Sequence, residues 1–425
     1  MAFDTNVPNF LYNGLKEAFD AARVGDDSNP ALQVLEQMFK GINIAGCTGC
    51  GPVGSTVGGV LQTAGMHLRA SSTFQNNLAN GNYFGLATSL NTLNYTKSFS
   101  GNSGLPDPPP NSRGSVIRYN GFPENFVVTN PQFTSTYMIA SMNNNQYHSL
   151  ETQVTLRPLH GLTMQGSYTW SRNNGLSGGA GLGNSYTNPT DRHADYTILG
   201  DTRTHDFRTN GSFDLPIGPN KLFFASSSGV VARIIEGWKT GWVVNLISGA
   251  PSNITAQNML YASGTPDVVG PFDPKDVGVK WGSGSSATSA NYFEPGIFQT
   301  VQDPQCAGVT TAQNLNTLCT LNAVKDTRTN QIVLQNPLPA TRGTLGQRAI
   351  QVPGIWRFDM NLQKAVQLSE SKSIEFRIDG SNILNHPEPG TPTLSINNTN
   401  FGMITGNAAK TTAHRQFMGQ LRFRF

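Results

Sequence analysis

Seven short segments of this chain alternate with a period of two, and the thirteen charged side chains they carry all fall on one side of that alternation. In Leu150–Arg157, Leu150, Val154 and Leu156 share one parity, and Glu151, Gln153 and Arg157 share the other. Leu162, Met164, Gly166, Tyr168 and Trp170 then alternate with Thr163, Gln165, Ser167, Thr169 and Ser171. Phe207, Thr209, Gly211, Phe213 and Leu215 oppose Asp206, Arg208, Asn210, Ser212 and Asp214, and Trp238, Thr240, Trp242, Val244 and Leu246 oppose Lys239 and Asn245. Trp356, Phe358, Met360 and Leu362 oppose Arg357, Asp359, Asn361 and Gln363, while Ile374, Phe376 and Ile378 oppose Glu375, Arg377 and Asp379. Last, Phe417, Gly419, Leu421, Phe423 and Phe425 oppose Gln416, Gln420, Arg422 and Arg424. A period of two is that of a strand with two different faces. A face kept free of charge seven times over needs a cause. Hydrocarbon supplies one, since a Lys or Arg at a bilayer midplane costs about 2–4 kcal/mol on the outside of a barrel. Lys364 breaks the parity, but it lies at a strand end, where its long stem can reach an interface.

A soluble sandwich would also alternate, and the connection lengths separate the two. Links of four to six residues, Pro158–Gly161 and about Gln367–Lys372, alternate with long ones over about Arg172–Thr204, Gly249–Gly354 and Asn385–Ala413. Tight turns at one end and long loops at the other are how an outer-membrane barrel is built. The link Pro216–Gly237 is longer than that scheme wants. Tyr168, Trp170 and Trp356 fall near the loop ends of their strands, and Trp238, Phe423 and Phe425 near the turn ends, in the manner of two interfacial girdles. The fold expected is all-β: about seven C-terminal strands of an antiparallel transmembrane β-barrel, occupying residues 146–425, with long extracellular loops that carry short helices.

Residues 1–145 read differently. Leu11, Leu15, Ala18, Phe19 and Ala22 recur at helical spacing, and Leu32, Leu35, Met38 and Phe39 repeat the pattern after Ser28-Asn29-Pro30 until Gly41. Glycine-, Asn- and Ser-rich sequence follows, then Pro106-Asp107-Pro108-Pro109-Pro110, which excludes regular structure. The expectation is one large surface loop region with short helices, with a strand near residues 115–128 as an open alternative.

Composition narrows the function classes. Charged residues make up 13%, about half the usual share of roughly 25%, and the net charge of +3 without a basic run gives no case for nucleic acid. No stretch reaches the roughly 18 apolar residues of a membrane helix, and no secretory leader follows Met1; a leader is expected upstream. Neither a nucleophile elbow nor a zinc-protease motif is present. Gly178-Gly179-Ala180-Gly181-Leu182-Gly183 lacks the spacing of a dinucleotide loop, and Gly51-Pro52-Val53-Gly54-Ser55 lacks the Lys of a phosphate loop. No catalytic residue, cofactor site or metal site is expected, and the chain does not read as an enzyme.

Several stretches are familiar. Asn145-Gln146-Tyr147-His148-Ser149-Leu150-Glu151, Gly166-Ser167-Tyr168-Thr169-Trp170-Ser171 and Asp201-Thr202-Arg203-Thr204-His205-Asp206-Phe207 resemble the Oar-like TonB-dependent transporters. So do Ser248-Gly249-Ala250-Pro251, Gly354-Ile355-Trp356-Arg357-Phe358-Asp359 and Asn382-Ile383-Leu384-Asn385-His386-Pro387. The resemblance covers about Asn145 to Phe425. It implies an uptake receptor in the outer membrane, with outer-membrane lipid around it and a larger barrel, an N-terminal plug and an energy-coupling protein engaged through that plug. None of those N-terminal parts is in this sequence, so the chain is expected to be a C-terminal barrel portion.

Four groups of residues are candidate sites. Phe417, Leu421, Phe423 and Phe425 look like the signal read by the barrel-insertion machinery, on an otherwise ordinary last strand. Cys47, Cys50, Cys306 and Cys319 are expected to form loop disulfides in an oxidising compartment; Cys47/Cys50 could open a zinc site, but no His follows at finger-like distance. Asp191, His193, Asp195, Asp201, His205 and Asp206 are the His/acid cluster, read as loop polarity. Arg208, Asp359, Glu375, Arg377, Asp379, Arg422 and Arg424 are read as ion pairs on the inner face. Two other functions remain open at this level: a small passive barrel whose eighth strand comes from 115–128, and a soluble β-sandwich adhesin.

Overall fold

In a computed structural model, the structure describes residues 2–4, 6–44, 47–92, 115–133, 136–139, 144–176, 191–257, 264–275, 277–282, 289–405 and 414–425. The Pro106–Pro110 run and the glycines of Gly178–Gly183 lie outside them.

The dominant element is a large antiparallel sheet. Its long strands are β1 (Asn145–Leu159), β2 (Leu162–Leu176), β3 (His205–Asp214), β4 (Trp238–Ile247), β5 (Ile355–Gln367), β6 (Ser373–Ser381) and β7 (Gln416–Arg424), each hydrogen-bonded to the next in chain order. A short strand, Tyr196–Ile198, adds to the far end of β2. With lengths from 9 to 15 residues, every long strand meets the 9–11 residues that a tilted strand needs to cross a bilayer. Among the described residues the sheet is open, with β1 and β7 as its edges. The β1–β2 turn is two residues, His160 (φ 50°) and Gly161 (φ 83°), the doubly left-handed pair that matches strand twist in a tight hairpin.

Register gives the sheet its two faces. Leu150, Val154 and Leu156 pair with Trp170, Gly166 and Met164. Tyr168 and Leu162 pair with Phe207 and Phe213, and Phe207 and Thr209 with Leu246 and Val244. Val244 and Trp242 then meet Phe358 and Met360, Leu362 meets Ile378, and Ile374 and Phe376 meet Phe423 and Leu421. Each ladder joins apolar parity to apolar parity, so the uncharged stripe is continuous across all seven strands. Gly211 sits opposite Trp242, whose indole fills the space a Cβ would take. A dry sandwich interior would bury this face. Instead Phe207 is 36% and Phe376 38% exposed, and Trp242 and Phe358 are half-buried.

Lys364, the parity exception, does not reach outward. Its ammonium donates to the carbonyls of Arg233, Ile234 and Glu236 at 2.6–2.8 Å, at the C-terminus of a helix over Gly229–Ile235. That helix fills the over-long Pro216–Gly237 link, and a cation suits the carbonyl end of a helix.

The first part of the chain is more than a surface loop. Helices α1 (Leu15–Val24), α2 (Gln33–Met38), α3 (Ala64–Ala70), α4 (Gln75–Ala79) and α5 (Tyr83–Thr92) enclose a core in which Leu15, Phe19, Leu35, Phe39, Leu68 and Phe74 are fully buried. Residues from far along the chain, including Cys306, Leu315, Cys319 and Leu321, complete it. Two amphipathic helices need more apolar surface than they carry between them, and the later loop supplies it. The alternative strand near 115–128 is not formed: Ser115–Tyr119 is helical and Asn120–Asn130 runs through turns and bends, as Gly121 and Pro123 favour. The long links also pack. Residues of Gly249–Gly354 and Asn385–Ala413 share a second core around Phe293, Val333, Leu334 and Ile396, beside a small sheet of Asp267–Val268, Gln331–Gln335, Asn322–Asp326 and Phe298–Gln302. The loops therefore carry strands of their own as well as short helices.

Two neighbouring substitutions separate the faces. Val244→Lys, mid-strand on the apolar face, is expected to lower folding stability in lipid by about 2–4 kcal/mol, whereas Asn245→Lys costs little. Equal losses, read by urea titration in vesicles, would remove the lipid-facing assignment.

Candidate functional site

The inner face is held by its own charges. Arg208 pairs with Asp206 at 2.8 Å and Arg377 with Asp379 at 2.7 Å, two residues along the same strand. Across strands, Glu375 receives Arg424 at 3.2 Å and lies 4.0 Å from Arg422, and Lys239 faces Asp214 at 3.7 Å. Asp359 accepts the Asn382 amide N–H at 2.7 Å. Arg208, Asp359, Glu375, Arg377, Asp379, Arg422 and Arg424 thus each have a structural partner, with two of the ion pairs running along a strand and the others across strands. Such exposed pairs are individually worth about 0–1 kcal/mol.

At the loop end of the wall lies a cavity of about 570 Å³. Trp170 and Arg172 on β2, Pro251 just beyond β4, Lys275, and Arg348 and Gln351 before β5 contribute to its lining. Arg348 Nη1 donates to the Ile198 carbonyl at 3.0 Å; burial lowers its pKa and the Asp201 carboxylate offsets part of that shift. Three cations sharing a lining with an aromatic ring and prolines suit a ligand that is anionic in one part and apolar in another. Sequence reading missed these residues because Arg172, Lys275 and Arg348 lie far apart along the chain, in β2 and in a long link, and folding alone brings them together.

The His/acid cluster disperses. Asp195 is buried and accepts from Gln347 at 2.6 Å, His205 Nδ1 shares a hydrogen bond with the Tyr168 hydroxyl at 2.9 Å, and Asp206 belongs to Arg208. Asp191 and His193 are exposed. Among the described residues these six form no three-ligand group.

The cysteines do assemble. Cys47 is bonded to Cys50 and Cys306 to Cys319, with Cα separations of 5.5 and 5.6 Å. Cys306 and Cys319 close a loop against the helical core. Beside the first pair lies fully buried His67 of α3: one ligand atom from each of Cys47, Cys50 and His67 falls within 4.8 Å of the others. The Ile44 amide donates to His67 Nδ1 at 3.4 Å. Nε2 makes no hydrogen bond of normal geometry, the Gly51 carbonyl being near enough only to moderate the effect of burial, which pushes the imidazole down from 6.5 to about 4. Phe417, Leu421 and Phe423 are exposed along the β7 edge, with Phe425 just beyond it.

A depressed His67 pKa makes the unfolded chain the better proton binder between pH 6.5 and 4, so stability is present above that window and falls on acidification through it. The loss is expected to approach about 3 kcal/mol by pH 4. The difference between wild type and His67→Gln in urea midpoint should shrink as pH falls from 7 to 4; a constant difference would contradict it.

A family model described as an outer membrane beta barrel domain matches residues 79–418, four-fifths of the chain. No curated protein matches. A solved structure of the copper transporter OprC is 13% identical over 69% of this chain and 49% of that one, with a TM-score of 0.14, so the chain spans about half of that protein's length. The match to the family model agrees with the one-sided strands described above: the chain belongs to the outer membrane beta barrel domain family and resides in the outer membrane.

Proposed function

We propose that the protein is the wall-and-loop portion of an outer-membrane uptake receptor of the TonB-dependent kind, with no catalytic role. The observation that carries this reading is the continuous uncharged face over seven strands whose two edges, β1 and β7, have no partner among the described residues. In hydrocarbon an open edge leaves a row of unsatisfied N–H and C=O groups, so lipid demands further strands. A larger barrel meets that demand. The small passive barrel loses its eighth strand, since Ser115–Tyr119 is helical, and the adhesin loses its dry interior.

The resemblance to Oar-like transporters supports TonB dependence, and with it a plug and an energy-coupling protein acting through that plug. The cavity beneath the outer loops is where a ligand arriving from outside meets the wall. Arg172, Lys275 and Arg348 favour an anionic one, and the wall itself supplies passage and not chemistry. The barrel-insertion machinery is the partner expected to read the terminal Phe417, Leu421, Phe423 and Phe425.

Fractionation tests the assignment. The protein should sediment with outer membranes and require detergent for extraction. Phe423→Ser combined with removal of Phe425 should lower its outer-membrane level by about fivefold or more, given that these residues act as an address and as wall. A protein found in the cytosol that unfolds cooperatively without detergent would end the proposal.

A further inference from the structure

The Cys47/Cys50 loop carries more than a staple. It is pinched at its base by hydrogen bonds from the Gly41 amide to the Val53 carbonyl and from the Val53 amide to the Ile42 carbonyl, both 3.0 Å. Asn43 Nδ2 donates to the Cys50 carbonyl at 2.8 Å, and Gly49, at φ 79°, takes the left-handed turn between the cysteines that other residues resist. Against this fixed loop α3 presents His67, held by the Thr63 cap, whose hydroxyl accepts the Met66 amide N–H at 3.1 Å. A fully buried imidazole whose Nε2 lacks a well-formed hydrogen bond is costly to keep beside two sulfurs without a use.

We propose that, in its dithiol form, this loop is a three-ligand site for a thiophilic cation of the zinc class, with Cys47, Cys50 and His67 as ligands, and that the disulfide is its closed, metal-free form. Donors on a tetrahedral zinc lie about 3.5–3.8 Å apart, from bonds of about 2.0–2.3 Å. The three ligand atoms here already lie within 4.8 Å of one another, and breaking the sulfur–sulfur bond moves the thiols apart toward that spacing. Cys47 and His67 are buried and Cys50 half-buried, so a fourth position opens toward solvent on the Cys50 side for water or an exogenous ligand.

The chemistry balances. Two molecules of a thiol reductant give one electron and one proton each to the disulfide and leave as their own disulfide, producing two cysteine thiols. A divalent cation then displaces both thiol protons and takes the lone pair of His67 Nδ1, which releases the 3.4 Å bond from the Ile44 amide. The ring keeps its proton on Nε2, facing the Gly51 carbonyl; the site then has two thiolates, one neutral imidazole and no net charge. Soft sulfur donors select zinc-like ions over magnesium or calcium. No finger-like spacing marks this ligand set, because the histidine comes from a neighbouring helix and not from a repeat next to the cysteines.

The full chain in detergent, reduced with a phosphine and stripped of metal, tests it with cobalt(II) as the optical probe. One equivalent should bind with a sulfur-to-cobalt charge-transfer band that zinc displaces. The oxidised chain should show neither. Cys306→Ser with Cys319→Ser should keep the band, Cys47→Ser with Cys50→Ser should abolish it, and His67→Gln should weaken binding about tenfold or more. The reduced wild type needs no variant to be decisive: if it gives no thiolate–cobalt band, the site does not exist. A band that survives loss of Cys47 and Cys50, or an affinity indifferent to His67→Gln, overturns the ligand set equally.

Discussion

Everything in the wall depends on the register of its six long ladders. Because side chains alternate faces, a slip of one residue in any ladder would move Arg208, Asp359 or Arg377 onto the side that must accept hydrocarbon. Turns and side chains together prevent it. The two-residue His160–Gly161 turn allows β1 and β2 little choice of pairing, and the fit of Trp242 over Gly211 admits one alignment of β3 with β4. On the other face, Arg424 and Arg422 against Glu375 mark the alignment of β6 with β7. These pairs contribute little stability one by one, but each is lost by a slip, and that is how they specify register.

The wall was legible in the sequence because its cause is local. A two-residue period survives in every segment, and charge sorts it. Leu15, Phe19, Leu35 and Phe39 were equally legible as helical positions, and all are buried. What they pack on was not. The core that closes over them takes Leu315 and Leu321 from nearly three hundred residues away, and no period records a partner at that distance. The same limit hid the loop-end cavity, whose cations come from β2, from a link and from the approach to β5. It hid His67 too, which reaches the Cys47–Cys50 loop only because α3 packs beside it.

Lys364 shows how an exception to a pattern can be more informative than its members. Read as a strand-end residue on an otherwise uncharged face, it suggested an amine reaching for an interface. The structure instead gives it three carbonyls at the end of the Gly229–Ile235 helix, with its ammonium 5.4 Å from the Trp238 ring centre. The helix in turn explains why the link between β3 and β4 is longer than a turn. One misplaced charge and one over-long connection, unrelated in the sequence, are a single local device.

The loops follow a different logic from the wall. In the wall, lipid forbids charge on one face and backbone pairing satisfies the rest. Outside the bilayer there is water on every side, and a long link stays open unless it can bury apolar surface of its own. Here the links do so by pooling: described residues between Ile254 and Ile350 share one core with Leu394, Ile396 and Ile404, and described residues between Phe10 and Val127 take Cys306–Leu321 into another. A link that contributes to two cores ties them together, and the Cys306–Cys319 bond lies where the borrowed segment enters the helical core. A disulfide at such a junction limits the unfolded freedom of the segment whose placement matters to both bodies, which is a use for a staple that neither body alone would require.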